Sequence, residues 1–176
     1  MSQDILNLYL SKDFRDTELS DFGKEQWNYA RNYANLLDID LVLISPLLRT
    51  IQTAHLLLKN HPNKENIKYM IHPGVREHVF GYSEIPTDWG KLYTKEYSHL
   101  FPNLDVSLMK ENGAFNDLFY AQDFQPDLKS KFKGKTATEI EDLIMESVKE
   151  RFPRSWETLE GTYDRIQKVF FWFLLI

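Results

Sequence analysis

A continuous apolar run, IDLVLIS (Ile39–Ser45), limits the fold more than any other part of the sequence. A run of this kind, rich in β-branched residues, is typical of a strand buried on both faces of a parallel sheet. The next stretch, SPLLRTIQTAHLLL, has apolar residues at helical spacing: Leu47, Ile51, Ala54 and Leu58. We predict a strand–turn–helix unit in which Ser45 caps the helix and Pro46 takes its first position.

Two neighbouring segments extend this unit. Ser20 is a favoured N-cap residue, and apolar residues follow it at helical spacing: Trp27, Ala30, Ala34 and Leu37. We therefore predict a helix that ends near Leu37. After a polar loop, the segment IKYMI (Ile67–Ile71) alternates like another strand. Helices that alternate with strands in this way predict a layered α/β fold.

The composition excludes several classes of function. A chain of 176 residues with 43% hydrophobic and 27% charged residues indicates one globular domain. The net charge of -5 argues against binding to nucleic acid or to an anionic membrane surface. The absence of cysteine excludes disulfides, thiolate nucleophiles and zinc sites built on cysteine.

The two ends of the sequence bear on its location and partners. MSQDILNLYL at the start lacks the basic region and cleavage site of a signal peptide. The run VFFWFLLI (Val169–Ile176) has eight residues, whereas a membrane-spanning helix needs about 20. We expect a cytoplasmic protein without a membrane span, and the apolar C-terminal end is a candidate surface for a partner. A last helix should begin near Trp156 and point an apolar row inward: Leu159, Tyr163, Ile166, Phe170 and Phe173.

Two charged residues point to a phosphate site. Arg49 lies in the first turn of the predicted helix, where the helix dipole disfavours a cation. The helix begins beyond the carboxyl end of a strand, which is where α/β sheets bind ligands. The guanidinium and the helix N–H groups could hold a phosphate together, although a solvated surface arginine explains the residue equally well. Glu77 follows the next strand and could donate a proton there, or it could be an ordinary solvated glutamate.

Other motifs do not support a cofactor or a metal site. FKGKTA (Phe132–Ala137) contains Gly-Lys-Thr, but Lys129 stands where a phosphate-binding loop needs its first glycine. The five histidines show no metal-ligand spacing. We predict neither a cofactor nor a metal. Residues 82–135 are rich in aromatic residues and read as a variable cap or lid, or as a cap packed by its own aromatic rings.

Three segments resemble the histidine phosphatase superfamily, in its phosphoglycerate-mutase-like branch. They are DTELSDFGKEQ (Asp16–Gln26), SPLLRTIQTA (Ser45–Ala54) and EHVFG (Glu77–Gly81). The resemblance implies a three-layer α/β/α fold and a metal-free reaction in which a histidine takes the phosphoryl group from a small phosphorylated substrate. It also implies that Arg49 holds the phosphoryl group and that Glu77 is the proton donor.

The sequence departs from the family pattern at the catalytic histidines. The family nucleophile stands in an Arg-His-Gly triplet and a second histidine in a His-Gly pair, and neither motif occurs in this chain. We therefore expect one incomplete domain over residues 1–176 that lacks the first and last core strands and is inactive as given. The alternative is a non-catalytic module that binds a phosphorylated ligand or another protein.

Overall fold

A parallel sheet organises the part of the chain that the computed structural model describes. The structure describes residues 10–78, 82–86, 103–110 and 159–173, and also residues 4, 7, 8, 101, 131, 134–136, 139, 142, 143 and 146. Within these ranges the sheet has three strands in the order β1 (Leu41–Ile44), β2 (Lys68–Ile71) and β3 (Leu104–Asp105). Ile44 pairs with Ile71, and both strand pairs are parallel.

Helices flank the sheet in the described ranges. They are α1 (Asp21–Ala34), α2 (Leu48–Leu58), the short α3 (Ser107–Lys110) and α4 (Leu159–Phe173). Three 3₁₀ turns lie at Lys12–Phe14, Pro73–Val75 and Tyr82–Glu84. Helix α2 connects β1 to β2, and α1 packs against α2. The predicted α/β fold is therefore confirmed.

The core lies between α2 and the sheet. The predicted apolar stripe of α2 is buried along its whole length, from Leu47 to Leu58. It packs with strand residues, including Ile44 and Ile71, which is fully buried. Because burying one such side chain contributes about 1.5–3 kcal/mol, this face is what fixes α2 against β1 and β2.

The prediction for α1 is right at its start and wrong at its end. The Ser20 hydroxyl accepts a hydrogen bond of 3.1 Å from the Gly23 N–H, as a cap should. The helix ends at Ala34, and Leu37 is 60% exposed. The N–H groups of Leu36 and Leu37 bond to carbonyls three residues back, so the chain leaves the α-helix through a tighter turn.

The strand β1 is shorter and less enclosed than the sequence predicts. It begins at Leu41 rather than Ile39, and only Ile44 is buried, whereas Leu41, Val42 and Leu43 are half-buried. The helix after it also begins later than predicted. Leu47 is its N-cap residue and makes no side-chain cap bond, so neither Ser45 nor Pro46 has the predicted role.

The predicted orientation of the last helix is wrong. The row expected to face inward is exposed, with Leu159 at 83% and Phe170 at 65%, while Arg165 and Val169 are buried. The buried face is set by polar contacts that apolar periodicity does not show. Arg165 Nη1 donates to the carbonyls of Gly74 at 2.5 Å and Arg76 at 3.2 Å. The side chain of Phe173 lies outside the described part of the chain.

Two further predictions concern a cap segment and a membrane span. Most of the predicted cap at 82–135 lies outside them. Among the helices that are described, none has both the length and the apolar character needed to cross a membrane.

Candidate functional site

The residues predicted to carry chemistry follow the carboxyl ends of adjacent parallel strands. Arg49 is in the first turn of α2, after β1, and Glu77 lies just beyond the 3₁₀ turn that follows β2. Parallel neighbours end at one edge of a sheet, and this edge is where α/β folds bind ligands. The topology therefore brings both segments to one edge, as the sequence predicts.

Asp16 caps α2 from a distant part of the chain. Its Oδ1 accepts a 2.7 Å hydrogen bond from the Leu48 N–H, and the residue is buried. The backbone of Asp16 has a φ of 45°, a left-handed conformation that aspartate tolerates better than most residues. A second bond, from the Leu19 N–H to Gln52 Oε1 at 2.8 Å, ties the same segment to α2.

The cap supplies the negative charge that Arg49 needs at this position. A carboxylate at a helix N-terminus is favoured by about 0.3–1 kcal/mol, an amount similar to the penalty for a cation there. Asp16 therefore compensates Arg49 without an external anion, and the position of Arg49 in the helix is not itself a sign of a ligand. The sequence contained a signal for this contact, because Asp16 begins the DTELS segment of the family resemblance.

The guanidinium of Arg49 is held by a backbone carbonyl. Its Nη1 donates a 2.7 Å hydrogen bond to the Ser83 carbonyl, and the Ser83 hydroxyl donates to the buried carboxylate of Glu84. Over the residues that the structure describes, Arg49 has no other hydrogen-bond partner and no carboxylate within 4.0 Å. Arginine has five N–H donors in a planar fork, so most of them remain available to an anion.

Ser45 adds a second donor at this edge. The residue is 8% exposed, and its hydroxyl has no hydrogen-bond partner within the described ranges. A buried polar group left unsatisfied costs about 1–3 kcal/mol. A ligand oxygen that accepts from this hydroxyl would recover that free energy, and Ser45 lies only four residues before Arg49.

The helix N–H groups contribute less than the sequence suggests. The Leu48 N–H bonds to Asp16, and the N–H groups of Thr50 and Ile51 bond to the Leu47 carbonyl. The predicted cradle of free helix N–H groups is therefore wrong for these three residues. An anion at this edge would instead rely on the side chains of Arg49 and Ser45.

Glu77 lies on an anchored loop. The residue is exposed, and its Oε1 accepts a 3.1 Å hydrogen bond from the His78 N–H. The ring nitrogen Nδ1 of His78 lies 3.1 Å from the Thr162 hydroxyl of α4. Together with the bonds from Arg165, this contact fixes the loop that carries Glu77 against α4. The role of Glu77 as a proton donor stays a prediction.

His72 begins the same loop. Its Nδ1 accepts a 2.9 Å hydrogen bond from the Gly74 N–H, which requires that nitrogen to be unprotonated. Burial lowers the pKa of His72 below its ordinary value, because a charged ring is poorly solvated there. Packing at Gly74 is tight, since a Cβ at this position would lie 2.4 Å from Val169 Cγ2. Across the described positions, no cluster of three acidic, histidine or cysteine side chains could hold a metal ion.

The sequence of this chain is similar to those of known proteins. A Fructose-2,6-bisphosphatase TIGAR B from Danio rerio is 38% identical over 69 residues, which cover 39% of this chain and 27% of that protein. A 2,3-bisphosphoglycerate-dependent phosphoglycerate mutase from Chlamydia abortus is 28% identical over 157 residues, 87% of this chain and 58% of that protein. The chain thus spans less than two thirds of either relative, and no solved structure matches it.

The family match covers the whole of this edge. The model of the histidine phosphatase superfamily (branch 1) matches residues 11–110, more than half of the chain. This range includes Asp16, Arg49 and Glu77 and all three strands of the described sheet. The protein therefore belongs to the histidine phosphatase superfamily.

Proposed function

We propose that this protein binds the phosphoryl group of a phosphomonoester beyond the carboxyl ends of β1 and β2. The proposal rests on the surroundings of the Arg49 guanidinium. Its guanidinium is half-buried, is held by one carbonyl, and has no carboxylate near it in the described part of the chain. A guanidinium in this state favours an anion with several oxygens, and phosphate matches its donor geometry in two parallel hydrogen bonds.

Ser45 and Glu77 complete the proposed site. The buried Ser45 hydroxyl donates a hydrogen bond to a phosphoryl oxygen, and this bond offsets the cost of burying the hydroxyl. Glu77 faces the oxygen that links phosphorus to the rest of the ligand, and in a complete family member it donates a proton to that oxygen as the bond breaks. Neither role needs a metal ion.

The ligand is proposed to be a small phosphorylated metabolite. The names of the two relatives refer to fructose-2,6-bisphosphate and 2,3-bisphosphoglycerate, which are both small molecules with two phosphoryl groups. The segment 82–135 would form one wall of the site and select the ligand, because its first described part supplies the Ser83 carbonyl to Arg49. The cytoplasmic location and the partner at the apolar C-terminal end stay predictions.

The complete reaction is proposed for the family architecture and not for the 176 residues alone. A phosphohistidine intermediate needs a histidine held in line with the phosphorus, and this chain has no Arg-His-Gly triplet. Removal of a nucleophile costs on the order of 10⁶-fold in a well-studied hydrolase. We therefore expect the polypeptide to bind phosphate without measurable hydrolysis, which is also the behaviour of a non-catalytic phosphoryl-binding module.

The test combines binding and turnover on this polypeptide. Isothermal titration with inorganic phosphate and with 3-phosphoglycerate should give saturable binding that Arg49→Ala removes. Lys24→Ala is the matched control, because it deletes one positive charge on the exposed face of α1. Loss of binding in both variants would indicate a general charge effect and would contradict a site at Arg49. Hydrolysis of p-nitrophenyl phosphate that survives His78→Ala would contradict the expected lack of turnover.

A further inference from the structure

A cavity of about 330 Å³ lies at the end of α2 opposite to Arg49. Its walls come from the last turn of α2, from β2 and from the segment before β3: His55, Leu58, Lys59, Tyr69, Phe101 and Asn103. At a helical rise of about 1.5 Å per residue, Lys59 is about 15 Å from Arg49 along the axis. The cavity is therefore separate from the proposed phosphoryl site, and its volume is at the lower end of the range for small-molecule pockets.

The floor of the cavity is aromatic. The rings of Tyr69 and Phe101 are both buried and pack with their centroids 4.7 Å apart at an angle of 41°. The ring of His55 meets Phe101 edge-on at 5.7 Å, and Leu58 closes the apolar surface beside it. A flat ring packs well on such a floor, because aromatic rings favour offset and edge-on contacts with one another.

The rim of the cavity is positive. Lys59 is exposed, and within the described ranges its ammonium has no carboxylate within 4.0 Å. Lys64 also lines the cavity, but its ammonium is 3.8 Å from the Glu65 carboxylate and is partly neutralised. Lys59 therefore provides the uncompensated charge, and the exposed Asn103 amide provides both a donor and an acceptor.

The Tyr69 hydroxyl stays protonated in this setting. Burial, and then the negative charge of Glu65, raise the pKa of Tyr69 above its ordinary value. The hydroxyl lies 3.5 Å from the Lys64 carbonyl, which is long for a hydrogen bond, so the contact is weak. A ligand acceptor could replace it at little cost.

From these contacts we propose that the cavity binds a small planar aromatic molecule that carries one anionic group. The ring lies on Phe101 and Leu58, and the anionic group meets the Lys59 ammonium at the rim. The ring contributes by burial and stacking, and the charge selects anions over neutral compounds of the same shape. This site is independent of phosphoryl binding at Arg49, so either proposal can fail while the other stands.

Titrations followed by two-dimensional ¹H–¹⁵N NMR on the full chain test this proposal. The probes are 1-naphthoate, the neutral 1-naphthalenemethanol and the non-aromatic cyclohexanecarboxylate. We expect 1-naphthoate to bind most tightly, with saturable shifts at the backbone amides of Tyr69 and Asn103 and none at Arg49. Lys59→Ala should weaken 1-naphthoate about two- to fivefold, the size of an exposed ion pair, and leave the alcohol unchanged. Lys24→Ala should change neither.

Three results would overturn the proposal. The first is the lack of saturable shifts at Tyr69 and Asn103 at millimolar 1-naphthoate. The second is a pattern of shifts centred on Arg49. The third is equal binding of acid and alcohol in the wild type. Phe101→Leu, with its fold checked by circular dichroism, should weaken the binding of both aromatic probes. A variant that binds them as tightly as the wild type would contradict a role for the Phe101 ring.

Discussion

Substitutions at Asp16 separate the two tasks of this residue. Its carboxylate caps α2 through the Leu48 N–H, and its backbone has a φ of 45°. Asp16→Asn keeps a side-chain acceptor and a residue that tolerates this φ, but it removes the charge. Asp16→Gly keeps the backbone conformation and removes the cap. Asp16→Ala removes the cap and also places a residue with a Cβ in a left-handed conformation.

The expected costs follow from the contacts. Loss of the charge alone costs about 0.3–1 kcal/mol of helix-dipole interaction. Loss of the cap costs about 1–2 kcal/mol, because the Leu48 N–H loses its acceptor inside the protein. The left-handed conformation adds about 1–2 kcal/mol for alanine. Asp16→Asn should thus cost about 1 kcal/mol or less, Asp16→Gly about 1–2 kcal/mol, and Asp16→Ala about 2–4 kcal/mol.

Urea denaturation and thermal denaturation, both followed by circular dichroism, measure these differences. For a chain of this length, about 2–4 °C of melting temperature corresponds to each kcal/mol, so Asp16→Ala should lower the melting temperature by about 5–15 °C. The order Asn, Gly, Ala from least to most destabilised is the result that supports the capping role. An Asp16→Ala protein as stable as the wild type, or an Asp16→Asn protein as unstable as Asp16→Ala, would refute it.

Two further predictions concern the loop after β2. Gly74→Ala should cost about 1–3 kcal/mol by overpacking, because the new Cβ would lie 2.4 Å from Val169 Cγ2 and 2.9 Å from His72 Cε1. In the double variant with Val169→Ala the cost of Gly74→Ala should fall, and additive costs in denaturation curves would contradict this contact. The lowered pKa of His72 means that the unfolded chain binds its proton more readily. Stability from this group is therefore present above about pH 6.5 and lost as the pH falls. His72→Gln should show a smaller loss of stability on mild acidification than the wild type, and an equal loss would contradict it.

Local patterns predicted the elements whose stability comes from their own apolar faces. The stripe of α2 and the Ser20 cap of α1 were readable because each depends on residues within a few positions of one another. The true cap of α2 was missed because Asp16 lies 32 residues before Leu48. The strand β3 was missed for a different reason, since the two residues Leu104 and Asp105 are too few to show a periodicity.

The face of α4 shows how a polar contact can outweigh an apolar pattern. Hydrophobic spacing favoured an inward row through Tyr163 and Phe170, yet Arg165 and Val169 are the residues that are buried. The Arg165 side chain donates to two carbonyls of the loop after β2. The cost of leaving a buried carbonyl without a hydrogen bond is comparable to the gain from burying an aromatic ring.

The candidate site was predictable in position and less so in detail. Parallel strand order alone places the segments of Arg49 and Glu77 at one edge. The bond from Arg49 to Ser83 depends on how the chain returns to the sheet after β2, and no local pattern records that. Ser45, predicted to cap the helix, instead has a buried hydroxyl, and Asp16 caps α2 in its place.

The proposed function requires that the Arg49 guanidinium binds a phosphoryl group. NMR of the arginine side-chain Nε–H groups during a titration with inorganic phosphate, at constant ionic strength set with chloride, tests it most directly. We expect a saturable shift of the Arg49 resonance, which is absent with chloride alone and which 3-phosphoglycerate reproduces. An unchanged Arg49 resonance, or equal shifts at Arg31 on α1 and at Arg49, would contradict it.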